Sequence, residues 1–367
     1  MIPIASPDVG QREADRVREV IDSGHLVAGE EVAAFESQFA EYCGATHGVA
    51  TSNGTTALHT ALSALGIGAG DQVVTTPFSF VATANAVRLC GAQPVFADVD
   101  PTTCNLDPDA VEEVLSERDV DAILVVHLYG LPAEMDRFVE IADEHDLALI
   151  EDAAQAHGAE YDGRRVGSFG DAACFSFYPT KNLTTGEGGM VLTDRAQVAE
   201  RARRFIDHGR TGTYTHESVG HNFRLTNLAA AIGRIQLEKL PEYVETRRTN
   251  ARRLREALPS SVDPPPEPPG TVHAYNQFTV QASDRDGLRE HLEGHGVGSK
   301  IYYPTPIHEQ PAYEGFDATA PVAERLSVNV LSLPVHPGLT EEDLETIETV
   351  LREYRPRAES PTEAHHE

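Results

Sequence analysis

Lysine is nearly absent from this sequence, although charged residues are plentiful. Only Lys181, Lys239 and Lys300 occur among 29 basic residues, while 58 acidic residues bring the formal net charge to −29. A surface of this charge repels phosphate backbones and anionic lipids, so the composition argues against binding to nucleic acids or membrane surfaces. Any chemistry that needs a lysine has only three candidates.

Long apolar runs and paired cysteines are also missing. No run approaches the ~18 apolar residues that a membrane-spanning helix needs, and the first residues lack the basic and then apolar pattern of a signal peptide. The cysteines form no C-x-x-C pair, which is typical of reduced thiols: Cys43, Cys90, Cys104 and Cys174. We therefore expect a soluble cytoplasmic protein, and we predict no metal site.

Helical and β-branched segments alternate between about residue 49 and residue 194. Residues 122–126 (AILVV) are almost purely apolar, as expected of a parallel strand that is buried on both faces. The alternation predicts an α/β fold with a mostly parallel sheet, in which ligands bind at the carboxyl ends of the strands. Pro241 should kink or split the long helical pattern that begins at Leu225.

Composition divides the chain into three parts. We expect a large domain over residues 1–245, of which residues 1–30 are free to pack elsewhere, and a smaller carboxyl-terminal α/β domain over residues 246–355. Residues 259–270 (PSSVDPPPEPPG) form a stiff, proline-rich connector. The polar residues 356–367 are predicted to be disordered.

Three segments carry polar groups at positions suited to ligand binding. Residues 52–56 (SNGTT) precede an amphipathic helix whose free N–H groups suit one phosphate, although an ordinary capping turn fits about as well. Asp152 ends an apolar strand. A carboxylate at this position either takes part in function or caps the end of the strand. Lys181 lies between a buried-looking strand and the glycine-rich residues 186–189; a solvated loop lysine is the alternative. Lys239 is expected on a helix surface.

Together these groups indicate pyridoxal phosphate. A lysine amine forms a Schiff base with an aldehyde cofactor, a phosphate site holds the tail of that cofactor, and a carboxylate pairs with its ring nitrogen. The opposite charge of the carboxylate favours the protonated ring. A protonated ring can accept the electrons that remain when a substrate loses its α-proton.

The sequence resembles the nucleotide-sugar aminotransferases of the DegT/StrS group, within the aspartate-aminotransferase-like fold (pyridoxal-phosphate fold type I). The resemblance extends from Leu26 to Gly338. Its most specific motifs are residues 53–58 (NGTTAL), 77–86 (PFSFVATANA), 151–158 (EDAAQAHG), 175–183 (FSFYPTKNL), 220–227 (GHNFRLTN) and 301–308 (IYYPTPIH).

The resemblance implies which residues hold the cofactor. Lys181 would bind its aldehyde, Asp152 would pair with its ring nitrogen, and Gln155 would reach its ring hydroxyl. Other positions match residues that stack on the ring or bind the phosphate: Phe80 for the ring, and Gly54, Thr55 and Ser176 for the phosphate. Asn222 matches a residue that reaches the phosphate from a neighbouring subunit, which implies a homodimer with shared active sites.

The same resemblance implies a substrate segment and a reaction. Tyr303 and His308 match a segment near the nucleotide sugar, in a looser correspondence. The reaction would move an amine from a donor, usually glutamate, to a nucleotide-linked keto sugar. Lysine at position 181 favours transamination, because dehydratase members of the family carry histidine there. The alternatives are a sugar dehydratase, a cyclitol aminotransferase, and a non-catalytic regulatory protein that keeps the cofactor.

The acidic, lysine-poor composition predicts a halophilic protein, because concentrated salt screens the repulsion among acidic side chains. We expect the free energy of unfolding to rise with salt concentration, and the folded structure to be lost on dialysis into dilute buffer. Circular dichroism during stepwise removal of potassium chloride measures this loss. An unchanged spectrum at an ionic strength of ~10 mM contradicts the prediction.

Overall fold

The structure is a computed structural model that describes residues 1–316 and 318–357. Within these residues the α-helices are α1 (Gln11–Ser23), α2 (Glu30–Cys43), α3 (Gly54–Leu65), α4 (Ala82–Leu89), α5 (Pro108–Glu117), α6 (Met135–His145), α7 (Ala196–Ile206), α8 (Asn227–Ala257), α9 (Arg285–Gly294), α10 (Pro321–Asn329) and α11 (Glu341–Glu353). Short 3₁₀ helices lie at Leu128–Gly130, Ile307–Glu309 and Pro311–Tyr313.

The strands of the described residues are mostly short. They are β1 (His47–Thr51), β2 (Gln72–Thr75), β3 (Gln93–Phe96), β4 (Ala122–Val126), β5 (Ala148–Asp152), β6 (Glu160–Tyr161), β7 (Arg164–Arg165), β8 (Ala172–Ser176), β9 (Gly189–Thr193), β10 (Arg210–Gly212), β11 (Thr215–His216), β12 (Val262–Asp263), β13 (Thr271–Val272), β14 (Phe278–Ala282) and β15 (Val330–Leu333).

Seven of the described strands form the central sheet, in the order β1-β9-β8-β5-β4-β2-β3. Pairing is parallel along β3-β2-β4-β5-β8, whereas β9 runs antiparallel to both β8 and β1. The carboxyl ends of β4, β5 and β8 lie side by side, since Asp152 pairs with Val126 on one side and with Cys174 on the other. The prediction of a mostly parallel α/β fold is confirmed.

Aromatic side chains fix the end of β8 against the helices behind the sheet. Phe39 of α2 meets Phe175 and Phe177 edge to face, with ring centroids 4.9 and 5.2 Å apart. All three rings are fully buried, and edge-to-face contact adds to the free energy gained by burying them. The segment that follows Phe177 therefore leaves the core from a rigid base.

A second sheet lies in the carboxyl-terminal part of the described chain. It contains three strands in the order β12-β14-β15, and β14 runs antiparallel to both neighbours. The amino terminus joins this part of the molecule, because Ile2 pairs with Val297 and packs in the same hydrophobic cluster as β14.

Helix α8 connects the hydrophobic clusters of the two sheets. Leu240 and Val244 pack with residues around the central sheet, whereas Ala251 and Leu254 pack with those of the second sheet. Of the two outcomes predicted at Pro241, the split is wrong, because α8 continues through the proline; the kink stays a prediction. Buried side chains on both sides hold the helix together although the proline removes one backbone donor. The predicted domain boundary at residue 245 falls inside α8 and stays a prediction.

The predicted disordered tail, residues 356–367, lies outside the described residues except for Pro356 and Arg357. The backbone N–H of Arg357 donates to Asp284 Oδ2 over 2.8 Å. Across residues 1–316 and 318–357, no helix combines the length and the apolar character that crossing a membrane requires.

Lys239 is not the surface residue that its helical pattern predicts. Its ammonium group lies 2.7 Å from Glu13 Oε1, and Glu13 is almost fully buried where α1 packs on α8. Gln236 and the backbone N–H of Gly10 donate to the same carboxylate. A buried carboxylate needs such partners, and a sequence pattern within α8 cannot show that another helix supplies the acid.

We expect this buried ion pair to make stability depend on pH. Burial alone would raise the pKa of Glu13, but hydrogen bonds from Lys239, Gln236 and Gly10 outweigh it and lower the pKa to about 2. Because the unfolded pKa is ~4.3, the stabilisation is present above that pH and is lost as the pH falls toward 2. Denaturant unfolding at pH ~7 should show Glu13→Gln to be less stable than wild type by roughly 1–2 kcal/mol.

At pH ~3 the difference between Glu13→Gln and wild type should shrink, because the native carboxylate has lost about half of its advantage there. Glu19→Gln is the matched control, since Glu19 lies on the exposed side of the same helix. The same stability change at both pH values, or in both variants, contradicts a specific role of the Glu13 charge.

Candidate active site

The loop before α3 lies against the end of β8. Asn53 caps the helix, its Oδ1 accepting from the N–H of Thr56 over 2.9 Å, while the N–H groups of Gly54 and Thr55 have no acceptor among the described residues. A Cβ on Gly54 would lie 2.7 Å from that of Ser176, so only glycine allows this close approach. The structure thus brings together the three residues predicted to bind a phosphate.

Asp152 is enclosed at the carboxyl end of β5, where it is 5% exposed. Thr83 Oγ1 donates to its Oδ2 over 2.8 Å, and the N–H of Ala154 donates to its Oδ1 over 3.2 Å. Ser79 Oγ lies 2.9 Å from Thr83 Oγ1 and continues this chain of hydrogen bonds. Burial raises the pKa of Asp152, and the hydrogen bond from Thr83 and the charge of Lys181 partly oppose that rise.

Glu151, which precedes Asp152, stabilises the carboxyl end of β5. Glu151 Oε2 accepts from His127 Nε2 over 3.1 Å, and both side chains are fully buried. The N–H of Ala133 donates to His127 Nδ1 over 3.1 Å, which assigns the ring proton to Nε2. The backbone N–H of His127 also donates to the carbonyl of Asp152 over 3.1 Å. The pair therefore holds the backbone from which the Asp152 side chain projects.

Lys181 lies just beyond β8 and is only partly exposed. Burial lowers the pKa of its amine to about 8, and the negative charge of Asp152 partly opposes this effect. The amine is therefore neutral in a sizeable fraction of molecules near neutral pH. Only a neutral amine acts as a nucleophile or accepts a proton.

Two hydrogen bonds orient the amide of Gln155. Its Oε1 accepts from the backbone N–H of Tyr129 over 2.7 Å, and its Nε2 donates to the hydroxyl of Tyr303 over 3.1 Å. Tyr129 has a φ of 59°, in the left-handed region that residues other than glycine rarely adopt. Because the N–H of Tyr129 occupies the amide oxygen, Gln155 presents a donor on its other side.

Phe80 and Tyr303 lie next to each other, with ring centroids 6.3 Å apart. Phe80 is 56% exposed, which is a large fraction for an aromatic side chain. Tyr303 is enclosed, and burial raises the pKa of its hydroxyl. An exposed ring beside the polar groups of the site is free to stack on a flat ligand. Tyr303, which was predicted to lie near the substrate, accepts a hydrogen bond from Gln155, which was predicted to contact the cofactor.

Asn222 and His308 lie outside this network. Asn222 is exposed and forms an isolated β-bridge with Asp207. His308 Nε2 lies 3.3 Å from Glu324 Oε1, and Glu309 brings a third group to within 4.8 Å of these two. No hydrogen bond of the described residues joins Asn222 or His308 to the groups described above.

Sequence analysis missed three residues that orient the site: Thr83, His127 and Tyr129. Thr83 lies in the motif at residues 77–86, where a hydroxyl on a buried face of α4 was the available signal. His127 directly follows the apolar strand β4, a position comparable to that of Asp152 on β5. Tyr129 gives no signal, because its positive φ depends on contacts with distant segments.

In protein that carries no bound aldehyde, we expect Lys181 to react with trinitrobenzene sulfonate half-maximally near its pKa of about 8. Peptide mapping separates this reaction from that of the other two lysines. Asp152→Asn should move the midpoint to lower pH, because the lost negative charge favoured the ammonium form. A wild-type midpoint at the ordinary lysine value of ~10.4 contradicts the prediction.

The chain is similar to known proteins along most of its length. The model of the DegT/DnrJ/EryC1/StrS aminotransferase family matches residues 7–352. A pleiotropic regulatory protein from Geobacillus stearothermophilus is 41% identical, over 92% of this chain and 93% of the relative. A UDP-N-acetyl-3-dehydro-α-D-glucosamine 3-aminotransferase from Acidithiobacillus ferrooxidans is 42% identical, over 92% of each chain.

A solved structure agrees with these relatives. DesV from Streptomyces venezuelae, in a crystal structure of its complex with a ketimine intermediate, is 40% identical and superposes with a TM-score of 0.90 over 93% of each chain. The family match covers more than nine-tenths of the sequence, and the fold and the order of the motifs agree with it. The chain belongs to the DegT/DnrJ/EryC1/StrS aminotransferase family.

Proposed function

We propose that the protein transfers an amine from glutamate to a nucleotide-linked keto sugar, with pyridoxal phosphate as cofactor. The observation that carries this proposal is the placement of Lys181, just beyond β8, at the same end of the central sheet as the buried carboxylate of Asp152. Burial also lowers the pKa of Lys181 to about 8. Membership of an aminotransferase family supports the reaction type. The relative named for 3-amination of a UDP-linked dehydro sugar supports the substrate class.

The residues of the site fit the cofactor group by group. The buried carboxylate of Asp152, held by Thr83, suits a protonated ring nitrogen. The Nε2 donor of Gln155 suits an oxygen on the ring, and the exposed face of Phe80 suits the ring itself. The free N–H groups at the start of α3, with Gly54 close against β8, suit a phosphate.

When bound, pyridoxal phosphate supplies an aldehyde that combines with amines and a ring that accepts electrons from the adjacent carbon. In this proposal Lys181 holds the aldehyde at rest and moves the proton during turnover. A pKa of about 8 lies near neutral pH and suits both tasks. A fraction of the amine is neutral and can accept a proton, and the resulting ammonium group can donate the proton again. Thr83 and Ala154 donate to Asp152 and favour its ionised form, which partly opposes the rise in pKa that burial causes.

A regulatory role is the alternative that the name of the Geobacillus relative supports. A regulator that only binds the cofactor needs a lysine to hold it, but it does not need that lysine to exchange protons. Membership of an aminotransferase family favours catalysis, and the glutamate reaction described below separates the two roles. Dehydration of the sugar is the other alternative, and lysine at position 181 argues against it.

Addition of glutamate to the holoenzyme tests the proposed reaction. We expect glutamate to abolish the visible absorbance of the cofactor, and one member of a panel of UDP-, dTDP- and GDP-linked keto sugars to restore it. Lys181→Arg should show no such change, because arginine neither binds the aldehyde nor exchanges the proton. Lys300→Arg is the matched control, since Lys300 is exposed.

The product identifies the reaction. NMR of the sugar formed should show an amine in place of the carbonyl oxygen, and its position and stereochemistry. Loss of a hydroxyl without gain of nitrogen indicates dehydration instead. Visible absorbance that persists in wild-type holoenzyme at saturating glutamate contradicts transamination with this donor.

We also propose a homodimer in which Asn222 completes the phosphate site of the partner. Asn222 is exposed, and no hydrogen bond among the described residues joins it to residues 52–56 of its own chain. Tyr214 and Val219, in the same segment, are 92% and 89% exposed. Exposed apolar side chains of this kind are typical of surfaces that meet a partner.

Mixing two inactive variants tests the shared site. Lys181→Arg and Asn222→Ala should each be nearly inactive alone, but subunit exchange should restore activity, because one site of every hybrid dimer keeps both native residues. An equimolar mixture should reach roughly a quarter of wild-type activity. Asn222→Ala that remains fully active alone, or a mixture that stays inactive after demonstrated exchange, contradicts the shared site.

We propose that the protein works in the cytoplasm. Its four cysteines are unpaired, and each is buried or half-buried. Unpaired thiols persist in a reducing compartment and are uncommon in secreted proteins.

A further inference from the structure

Arg247 is a buried cation whose charge is neutralised by no acid within residues 1–316 and 318–357. It lies in the carboxyl-terminal half of α8 and is only 6% exposed. Its Nη1 donates to the carbonyls of Tyr275 and Asn276 over 3.0 and 3.3 Å, while its Nε is buried without an acceptor among the described residues. Burial lowers the pKa of Arg247 to about 10, so the side chain still carries its charge at neutral pH.

The neighbouring arginines of α8 show that this arrangement is unusual. Arg253 pairs with Glu341 and Glu348 over 2.8 and 2.6 Å, and Arg248 pairs with Glu245 over 3.1 Å. Among the described residues, no carboxylate oxygen lies within ion-pairing distance of Arg247. Acidic residues are twice as numerous as basic ones in this chain. A buried guanidinium that none of the described acids pairs with is therefore available to bind a negatively charged ligand.

The guanidinium lines the same cleft as Lys181. The cleft lies between the segment that carries Lys181, helix α8 with Tyr243 and Arg247, the chain around Asp8, and Gly338. The carboxylate of Asp8 is already engaged, because it accepts from the hydroxyl of Tyr243 over 2.5 Å and lies 3.5 Å from Lys239. The guanidinium of Arg247 and the amine of Lys181 thus belong to residues that line the same cleft.

An amino-acid donor must place its amine at Lys181, and its α-carboxylate is attached to the same carbon. A carboxylate in a confined cleft needs a charged donor, and a guanidinium matches its two oxygens in geometry. We propose that Arg247 binds a carboxylate of the amino-acid donor. The proposal rests on the proposed function and goes beyond it by naming the residue that selects an acidic donor over a neutral amine.

Half-reactions of the holoenzyme test the proposal. Arg247→Met should raise the glutamate concentration for half-maximal loss of cofactor absorbance by roughly 10–100-fold, since a charge-assisted hydrogen bond is removed. The half-saturating concentration of a nucleotide-linked keto sugar, measured with the aminated enzyme, should change by less than about 2-fold. Arg253→Met is the control from the same helix, and both of its half-reactions should stay near wild type.

Binding of glutarate measures recognition of the carboxylates without the transfer of an amine. It carries both carboxylates of glutamate but no amine, so we expect it to compete with glutamate in wild type, whereas glutaramide should not. Arg247→Lys keeps a charged donor for the carbonyls of Tyr275 and Asn276 but loses the planar fork, and should bind glutarate roughly 10-fold more weakly. This variant decides the question if Arg247→Met does not fold.

The outcomes point in different directions. Unchanged glutarate affinity in Arg247→Lys, or equal weakening of both half-reactions with the cofactor retained, overturns the proposal. Weakening confined to the sugar half-reaction also overturns it and assigns Arg247 to the sugar nucleotide. If wild type does not react with glutamate at all, the proposed function fails, while glutarate binding still reports on Arg247.

Discussion

A carboxylate enclosed at the carboxyl end of a central strand is the constraint around which the rest of the site is arranged. Asp152 lies where β5 ends, between two parallel neighbours, and water cannot stabilise its charge there. Thr83 and Ala154 therefore donate to it, and the charge of Lys181 favours its ionised form. The same enclosure lowers the pKa of Lys181 to about 8. The same burial thus raises the pKa of the carboxyl group and lowers that of the amine, while the charge of each group partly opposes the shift of the other.

The support for this pair comes from segments that are far apart in sequence. His127 and Glu151 fasten the ends of β4 and β5 to each other, and Tyr129 fixes the amide of Gln155. Helix α8 then links the central sheet to the second sheet and carries Arg247 to the cleft of Lys181. A rigid helix that spans both clusters keeps the groups from the two parts of the molecule in a constant relation.

Much of the fold could be predicted from local patterns, and much of the site could not. Strand β4 has the predicted bounds, because an apolar run depends only on neighbours in sequence. Helices α1 and α2 went unpredicted, and both pack on α8. The split at Pro241 and the full exposure of Lys239 were mispredicted for a common reason: other elements supply the contacts that outweigh the local preference.

The sequence by itself determined the alternating α/β architecture, the scarcity of lysine that singled out Lys181, and the motifs that resemble those of one enzyme family. Each of these lies in composition or in residues that are adjacent along the chain. Only the tertiary structure decided that Thr83 reaches Asp152, that Tyr129 orients Gln155, and that Arg247 has no acidic partner among the residues that the structure describes. Those facts depend on distances between segments and on the exclusion of water, and neither quantity exists before the chain has folded.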